Sequence, residues 1–169
     1  ADELDMPLMV TENTESMRTA FTVSVDLVEG TTTGISASDR SATVVGLSDP
    51  ERRRGEFARP GHIFPLRARV GGVLKRAGHT EAAVDLCALA DRQPVGVLCE
   101  IVNDDGTMAR LSDLEVFATE HGLQLITIAD LIRHRRRHEK LVEHFGSARI
   151  PTKYGEWTAH AYRSLLDED

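Results

Sequence analysis

The stretch Lys75-Arg76-Ala77-Gly78-His79-Thr80-Glu81 places a guanidinium, a glycine, an imidazole and a hydroxyl next to one another. Good helix formers continue to Leu89 without a breaker, and Thr80 is a suitable N-cap, so we predict that a helix begins here. A helix N-terminus presents unpaired backbone N–H groups and a positive dipole end, which bind phosphate, and Arg76 adds a charged fork for phosphate oxygens. A capped helix after a glycine is common, so this motif alone is equally consistent with an ordinary helix start.

Three further stretches surround this motif in the chain. They are Gly34-Ile35-Ser36-Ala37-Ser38-Asp39-Arg40, Arg59-Pro60-Gly61-His62-Ile63-Phe64-Pro65-Leu66-Arg67-Ala68 and Gly96-Val97-Leu98-Cys99-Glu100-Ile101-Val102-Asn103-Asp104-Asp105-Gly106-Thr107-Met108-Ala109-Arg110. In this order, with the first motif between the second and third of them, they closely resemble 3,4-dihydroxy-2-butanone 4-phosphate synthase. That family supplies the four-carbon unit of riboflavin. The resemblance runs from about residue 5 to about residue 139, which is almost all of the chain.

Length and composition narrow the possible functions. The 169 residues are enough for one domain with a real core. The formal net charge of −7 argues against a dedicated nucleic-acid binder, although a local basic pocket can still bind a small anion. No stretch is long and apolar enough to span a membrane. Cys87 and Cys99 both lie in apolar stretches, so we expect buried free thiols and a cytoplasmic location.

Hydrophobic patterning predicts several strands. Residues 21–27 alternate between apolar residues and Thr22, Ser24 and Asp26, as a half-buried strand does. Residues 63–70 indicate a strand or extended segment, and residues 123–128 a further strand. Residues 95–102 are almost continuously apolar, which predicts a strand buried on both faces.

Helices are predicted between these strands. Ser36 or Ser38 can cap a helix that runs to about Leu47. Residues 112–115 form a capping box for a helix that ends at Gly122, and another helix runs from about residue 129 to residue 140. The alternation indicates an α/β (α+β) fold with a mixed layered sheet flanked by helices, and the resemblance implies a butanone phosphate synthase-like fold.

The character of the sequence changes from about Ser147. Arg149-Ile150-Pro151-Thr152-Lys153-Tyr154-Gly155-Glu156-Trp157 resembles the opening strand of GTP cyclohydrolase II, an enzyme often fused behind the butanone phosphate synthase in bacteria. We therefore expect a synthase-like domain over residues 1–145 without its N-terminal part, and a linker with the first cyclohydrolase-like residues over 146–169. We also expect the chain to be a fragment of a longer protein, without cyclohydrolase activity of its own.

The resemblance implies a lyase that converts D-ribulose 5-phosphate to L-3,4-dihydroxy-2-butanone 4-phosphate and formate. Such a reaction needs a phosphate anchor, a divalent cation and acid–base groups. The implied anchor consists of Arg76, Ala77, Gly78, His79 and Thr80. The implied metal is Mg²⁺ or Mn²⁺, with His79 as a ligand. The family pairs this histidine with a glutamate from an acidic N-terminal loop, and that loop is not in this sequence.

His62 and Glu100 match two positions that the family uses in catalysis, and Glu100 is also an expected substrate contact. Glu100 interrupts an apolar run, and a carboxylate in a buried strand is costly unless it is paired or functional. Its alternative is a strand-end glutamate that reaches water. The alternative for His62 is a turn histidine bonded to the backbone.

Thr33, Ser36 and Asp39 form a second tier of candidate substrate contacts in a loop of small residues. They could reach substrate hydroxyls or cap a helix, and for Ser36 we favour capping. His138 and His144 are too far apart for a His-Glu-x-x-His zinc motif. Residues 133–140 are best interpreted as a solvated basic helix face that leads to a linker.

The sequence therefore favours a Mg²⁺-dependent cytoplasmic lyase that binds ribulose 5-phosphate. The resemblance also implies a homodimer, and we expect neither a nucleic-acid nor a membrane partner. The main alternative is a catalytically silent domain that binds sugar phosphate or serves dimerisation in a riboflavin-pathway protein. A weaker alternative is a different sugar-phosphate isomerase or aldolase.

Overall fold

The computed structural model describes residues 4–166. In these residues the α-helices are α1 (Ala37–Ser48), α2 (His79–Leu89), α3 (Leu111–His121) and α4 (Ile128–His138). The strands in the same range are β1 (Val25–Leu27), β2 (Phe57–Ile63), β3 (Val142–Thr152) and β4 (Gly155–Ser164). Short 3-10 helices lie at Arg54–Glu56 and Gly72–Leu74. The predicted mixture of helices and strands is confirmed. These α-helices have 11 or 12 residues, whereas a membrane span takes about 20.

The chain divides into two compact units, and the first contains residues 4–69 and 79–108. In this unit β1 and β2 pair antiparallel, with Val25 opposite Ile63 and Leu27 opposite Phe57. Met6, Val25, Leu27 and Phe57 form a buried apolar cluster, against which Leu4, Ala42 and Leu47 pack. Of the predicted strand or extended segment at residues 63–70, Ile63 is the last residue of β2, and Leu66 forms an isolated bridge with Phe21.

The polar side chains before and within β1 are buried, so the expected solvent face is wrong. As whole residues, Thr22, Ser24 and Asp26 are each at most 9% exposed. Thr22 Oγ1 donates to the carbonyl of Pro65 at 2.8 Å, and Ser24 Oγ accepts from the backbone N–H of Gly61 at 3.1 Å. Burial of a polar group is tolerated when it is hydrogen-bonded, and the neighbouring chain supplies those bonds.

Helix α1 is capped as the sequence predicts, because Ser36 Oγ accepts from the backbone N–H of Asp39 at 3.1 Å. Inside the helix, the buried Thr43 hydroxyl donates to the carbonyl of Asp39 at 3.0 Å. The same oxygen accepts from the backbone N–H of Leu27 at 2.9 Å. Thr43 thus fixes α1 against β1.

The prediction of a strand buried on both faces at residues 95–102 is wrong. Val97 is 69% exposed, and Glu100 and Cys99 are exposed as well. A strand needs a hydrogen-bonding neighbour as well as apolar residues, and here the pairing is a single bridge between Val102 and Met108 across a turn. Both cysteines are free thiols, but the expectation that both are buried is also wrong.

The second unit contains residues 70–78 and 109–166. Helix α3 ends at Gly122 as predicted. At its N-terminus the predicted capping box at residues 112–115 is replaced by Asp113, which accepts the Arg110 backbone N–H at 2.8 Å. The predicted strand at residues 123–128 is wrong, because residues 123–127 are not in a strand and their side chains are exposed. Helix α4 begins and ends close to the predicted limits.

Strands β3 and β4 form a long antiparallel hairpin, in which Val142 lies opposite Ser164 and Thr152 opposite Gly155. The stretch that resembles a cyclohydrolase opening strand lies in this hairpin. A bulge shifts the register between His144 and Gly146. The predicted domain boundary between residues 145 and 146 falls inside β3 and remains a prediction.

Candidate functional site

The centre of the candidate site is a pair formed by Asp26 and His62. The Asp26 Oδ2 atom lies 2.6 Å from His62 Nδ1, and Asp26 Oδ1 accepts the His62 backbone N–H at 2.8 Å. The Asp26 side chain is 12% exposed and the His62 side chain 39% exposed. The carboxylate is therefore enclosed, while the imidazole reaches solvent.

These contacts determine which ring nitrogen of His62 can act as a base. An ionised carboxylate only accepts hydrogen bonds, so Asp26 requires the proton of a neutral His62 to be on Nδ1. Nε2 is then the acceptor, and a proton taken up there would be stabilised by the carboxylate on the other side of the ring. The arrangement holds the His62 ring in one tautomer, which a general base requires.

The backbone around β2 explains why His62 reaches Asp26. The register of the β1–β2 pair shifts between Val25 and Asp26, so β2 accommodates additional residues before His62. A Cβ atom at Gly61 would overlap the backbone of Val25 and Asp26. Only glycine permits this close approach, which places His62 directly opposite the carboxylate.

A second loop closes over the pair at Gly34, which has a φ of 87°. The Asp39 Oδ2 atom holds this loop, because it accepts the backbone N–H of Gly34 at 2.9 Å and both donors of Thr32 at 3.1 and 2.7 Å. The hydrogen bond from the Thr32 hydroxyl is the main cause that lowers the pKa of Asp39, with the backbone donors adding to it and burial opposing it. Asp39 is therefore a buried loop anchor in this structure.

The other second-tier candidates lie in the same loop. Thr33 and Ser36 are exposed, and the Ser36 hydroxyl is engaged as the cap of α1 and with Ser38 at 2.9 Å. Their role as substrate contacts remains a prediction. The structure thus places Thr33 and Ser36 in one loop, which Asp39 holds from the first turn of α1, and it sets that loop beside His62 through Gly34.

In sequence, the residues of the implied phosphate motif are divided between the two units. Helix α2 begins at His79, one residue before the predicted cap, so Thr80 lies inside the first turn. His79 is exposed and Thr80 is buried. Arg76 and Gly78 lie in the second unit, where the Gly78 backbone N–H donates to the Arg76 carbonyl at 2.8 Å, and Ala77 between them is exposed. Phosphate binding by these residues remains a prediction.

Glu100 is exposed, so burial no longer supplies a physical argument for its function. Within residues 4–166, no hydrogen bond or ion pair joins the side chain of Glu100 or His79 to the Asp26–His62 pair. Both residues retain their match to the family motifs as the argument for a role.

Three buried carboxylates were missed by the sequence reasoning. Asp26 was assigned to the solvent side of an alternating strand, and Glu81 and Asp85 were treated as ordinary residues of a helix. Glu81 is 1% exposed, and its Oε1 atom accepts the backbone N–H of Arg69 at 3.0 Å. For Glu81, the usable signal is its position in the first turn of a helix, because an acidic side chain there is stabilised by the positive end of the helix dipole. No comparable local signal marks Asp26.

A divalent metal needs several donor atoms that converge on one point. In the described part of the chain, no three His, Cys, Asp or Glu side chains lie close enough together to hold a metal ion. His79 offers one imidazole, whereas Mg²⁺ prefers oxygen ligands in an octahedral arrangement. The described residues therefore do not complete a Mg²⁺ site by themselves.

Comparison with known proteins gives consistent similarities. The sequence profile of 3,4-dihydroxy-2-butanone 4-phosphate synthase matches residues 1–134. The chloroplastic bifunctional riboflavin biosynthesis protein RIBA 1 of Arabidopsis thaliana is 59% identical over 168 residues, which are 98% of this chain and 31% of that protein.

Solved structures are similar over the same range. A two-domain 3,4-dihydroxy-2-butanone 4-phosphate synthase from A. baumannii has a TM-score of 0.88 and 45% identity, covering 99% of this chain and 49% of that one. A synthase structure in complex with two magnesium ions has a TM-score of 0.73 and 42% identity, covering 81% of this chain and 69% of that one. The chain thus spans less than a third of the Arabidopsis relative and about half of the A. baumannii protein.

Proposed function

This chain belongs to the 3,4-dihydroxy-2-butanone 4-phosphate synthase family, and from that premise we propose that it performs the lyase reaction of riboflavin biosynthesis. The substrate is D-ribulose 5-phosphate, and the products are L-3,4-dihydroxy-2-butanone 4-phosphate and formate. The two products contain every atom of the substrate, so the reaction needs no oxidant and no second substrate. The observation that carries the proposal is the Asp26–His62 pair beside the Gly34 loop.

In this proposal His62 is the general base of the enolisation. Its Nε2 atom takes a proton from the carbon next to the substrate carbonyl, and the Asp26 carboxylate stabilises the imidazolium that forms. Asp26 is proposed to act through His62 and is therefore assigned as a positioning residue. It fixes the ring through two hydrogen bonds, one to the side chain and one to the backbone.

Glu100 is proposed as the second acid–base residue, and its support is the match to the family motif. The phosphate group is proposed to bind at Arg76 to Thr80. The free N–H groups in the first turn of α2 and the guanidinium of Arg76 favour a dianion. Thr33 and Ser36 are proposed to contact substrate hydroxyls. Asp39 supports them by holding the loop.

The proposed cofactor is Mg²⁺, with Mn²⁺ as a possible substitute. Support comes from the related synthase that was solved with two magnesium ions. His79 is the candidate ligand in this chain, and a bound divalent cation would polarise the substrate carbonyl. Because the described residues do not complete its site, none of the proton transfers above is assigned to the metal.

A homodimer and a cytoplasmic location are proposed for the protein as well. The free thiols of Cys87 and Cys99 support a reducing compartment. Fusion to a GTP cyclohydrolase II domain is proposed from the stretch at residues 149–157, and it agrees with the bifunctional description of the Arabidopsis relative.

The test is formate release from ribulose 5-phosphate by this chain, with and without Mg²⁺. We expect metal-dependent formate, with His62→Gln lowering kcat by about 10²- to 10⁴-fold, the usual contribution of a positioned proton-transfer group. His79→Ala should raise the Mg²⁺ concentration needed for half-maximal rate. His121→Gln is the matched control, because His121 is exposed on α3 and has no proposed role.

The alternative functions predict other results. A catalytically silent sugar-phosphate-binding domain, which the comparisons do not favour, would bind ribulose 5-phosphate and release no formate. A different isomerase or aldolase would consume the substrate without formate. Formate release that is equal in the wild type and in His62→Gln would refute the assigned role of His62.

A further inference from the structure

The β3–β4 hairpin carries a pair of histidines that the proposed reaction does not use. His144 Nε2 lies 2.8 Å from Ser147 Oγ, and His160 Nδ1 lies 2.7 Å from the same oxygen. Since both nitrogens contact one atom, they are at most 5.5 Å apart, the sum of these two distances. The imidazole rings themselves have centroids 5.8 Å apart.

The hairpin register explains this convergence. Ser147 lies opposite His160, and His144 lies opposite Tyr162. Residues three apart on a regular strand point to opposite faces. The bulge between His144 and Gly146 adds one residue to β3, so His144 and Ser147 share a face with His160. The Tyr162 ring meets the His144 ring edge-on at 5.4 Å and limits its rotation.

The charges around the pair permit a cation to approach. The carboxylate of Glu143 is engaged by Arg163 at 2.9 Å, and this ion pair belongs to the opposite face of the hairpin. Arg149 is the nearest cationic residue that alternation places on the histidine face, and it is exposed. The side chains at the centre of this face are all exposed to solvent: His144, Ser147, His160 and Tyr162.

We propose that His144 and His160 bind a divalent transition-metal cation, such as Zn²⁺ or Ni²⁺, between strands β3 and β4. Imidazole suits these metals, whereas Mg²⁺ requires oxygen ligands, so the site is chemically distinct from the proposed cofactor site. A tetrahedral Zn²⁺ with Zn–N distances near 2.05 Å needs ring nitrogens about 3.4 Å apart. Small rotations of two exposed side chains close the remaining gap, and water completes the coordination.

A second histidine pair in the chain is a natural comparison. His134 and His138 stack on α4 with ring centroids 4.3 Å apart. His138 Nδ1 contacts the carbonyl of His134 at 2.8 Å, and three arginines, at positions 133, 136 and 137, surround this pair. Their positive charge disfavours a divalent cation, so we expect the hairpin pair to bind first.

The test is calorimetric titration of the full chain with Zn²⁺ in the presence of saturating Mg²⁺. We expect His144→Ala and His160→Ala each to weaken the tightest Zn²⁺ site at least about tenfold, the low end of what even outer-shell changes cost. His134→Ala/His138→Ala and His79→Ala are the matched controls and should leave that site intact. Ser147→Ala retains both imidazoles and should also retain binding.

Histidine ring NMR signals of the wild-type chain provide a second readout that needs no variant. The signals of His144 and His160 should shift together at the first equivalent of Zn²⁺. Unchanged Zn²⁺ affinity in both hairpin variants would overturn the proposal. First-equivalent shifts at His79, or at His134 and His138, would overturn it equally.

Discussion

A Cβ atom at Gly34 would collide with the Asp26 carboxylate, so the loop that carries Gly34 lies directly against the Asp26–His62 pair. The same Cβ atom would lie 2.8 Å from His62 Nδ1. Two segments that are separate in sequence therefore meet at one contact, and the geometry of the Asp26–His62 pair depends on the absence of a side chain at Gly34.

Gly34→Ala should disrupt the site by pushing the carboxylate away from the imidazole. We expect formate release to fall by about tenfold or more, because one misplaced hydrogen bond partner of a general base costs on the order of 1–3 kcal/mol. Gly30→Ala is the matched control, since Gly30 also has a positive φ of 77° but no atom within 4 Å of an added Cβ. Steady-state kinetics and melting temperatures of both variants distinguish the collision with Asp26 from the strain of a positive φ. Equal losses of activity in the two variants would mean that backbone strain alone causes the effect.

Asp26→Asn should lower kcat about 10²-fold or more while KM changes little, because in the proposed mechanism Asp26 acts by orienting His62. A neutral amide stabilises the imidazolium less and can select the other tautomer. The measurement is the rate of formate release over a range of substrate concentrations. Added to His62→Gln, Asp26→Asn should cost almost nothing more, since residues that act as a unit are not additive. Full additivity would contradict the coupling.

Local signals account for the parts of the fold that the sequence predicted. Ser36 caps α1, Gly122 ends α3, and α4 lies near its expected limits, because a cap or a helical repeat is determined by neighbouring residues. His62 was selected as a candidate through its motif, and that role remains a prediction. Its position on β2 was not predicted, because a proline and a glycine before it indicated a turn.

The incorrect predictions concern long-range pairing. The alternation of apolar and polar residues predicted a solvent-exposed Asp26, yet residues 61–65 lie beside residues 22–26 and bury their polar side chains. The apolar run at residues 95–102 predicted a buried strand, but burial depends on which segments pair with it. Composition and periodicity along one segment contain no information about a partner that lies tens of residues away.

Asp39→Asn should make the protein less stable at neutral pH and less sensitive to acid. The hydrogen bonds to Asp39 lower its folded-state pKa below that of the unfolded chain. The carboxylate therefore stabilises the fold above the ordinary aspartate pKa of about 3.9, and this stabilisation is lost as pH falls through the lower folded-state value. Asparagine can accept the same bonds without the charge. Melting temperatures between pH 7 and pH 3 test this, with the exposed Asp104→Asn as the control.

Arg135→Met should destabilise the second unit by about 1–3 kcal/mol, the usual cost of losing charge-assisted hydrogen bonds. Arg135 donates to both oxygens of Glu139 at 2.6 and 2.7 Å and to the carbonyl of Gly71 at 2.9 Å. Its side chain is only 14% exposed, so the expectation that the whole basic run is solvated is wrong at this position.

The control for this change is Arg136→Met, because Arg136 is exposed on the same helix. It should alter the free energy of unfolding by less than about 0.5 kcal/mol. Urea denaturation of the two variants measures the difference. Equal effects would mean that the contacts of Arg135 add nothing to stability.

The hydroxyl of Thr43 completes the hydrogen bonding of the β1 edge that faces α1. The Leu27 backbone N–H points away from β2, since the next residue, Val28, donates to Glu56 on the β2 side. A buried backbone N–H that lacks an acceptor costs about 1–3 kcal/mol. Because Thr43 takes the Leu27 N–H, helix α1 serves this edge as a neighbouring strand would, and Thr43→Val would keep the shape of the side chain while leaving that N–H buried without its acceptor.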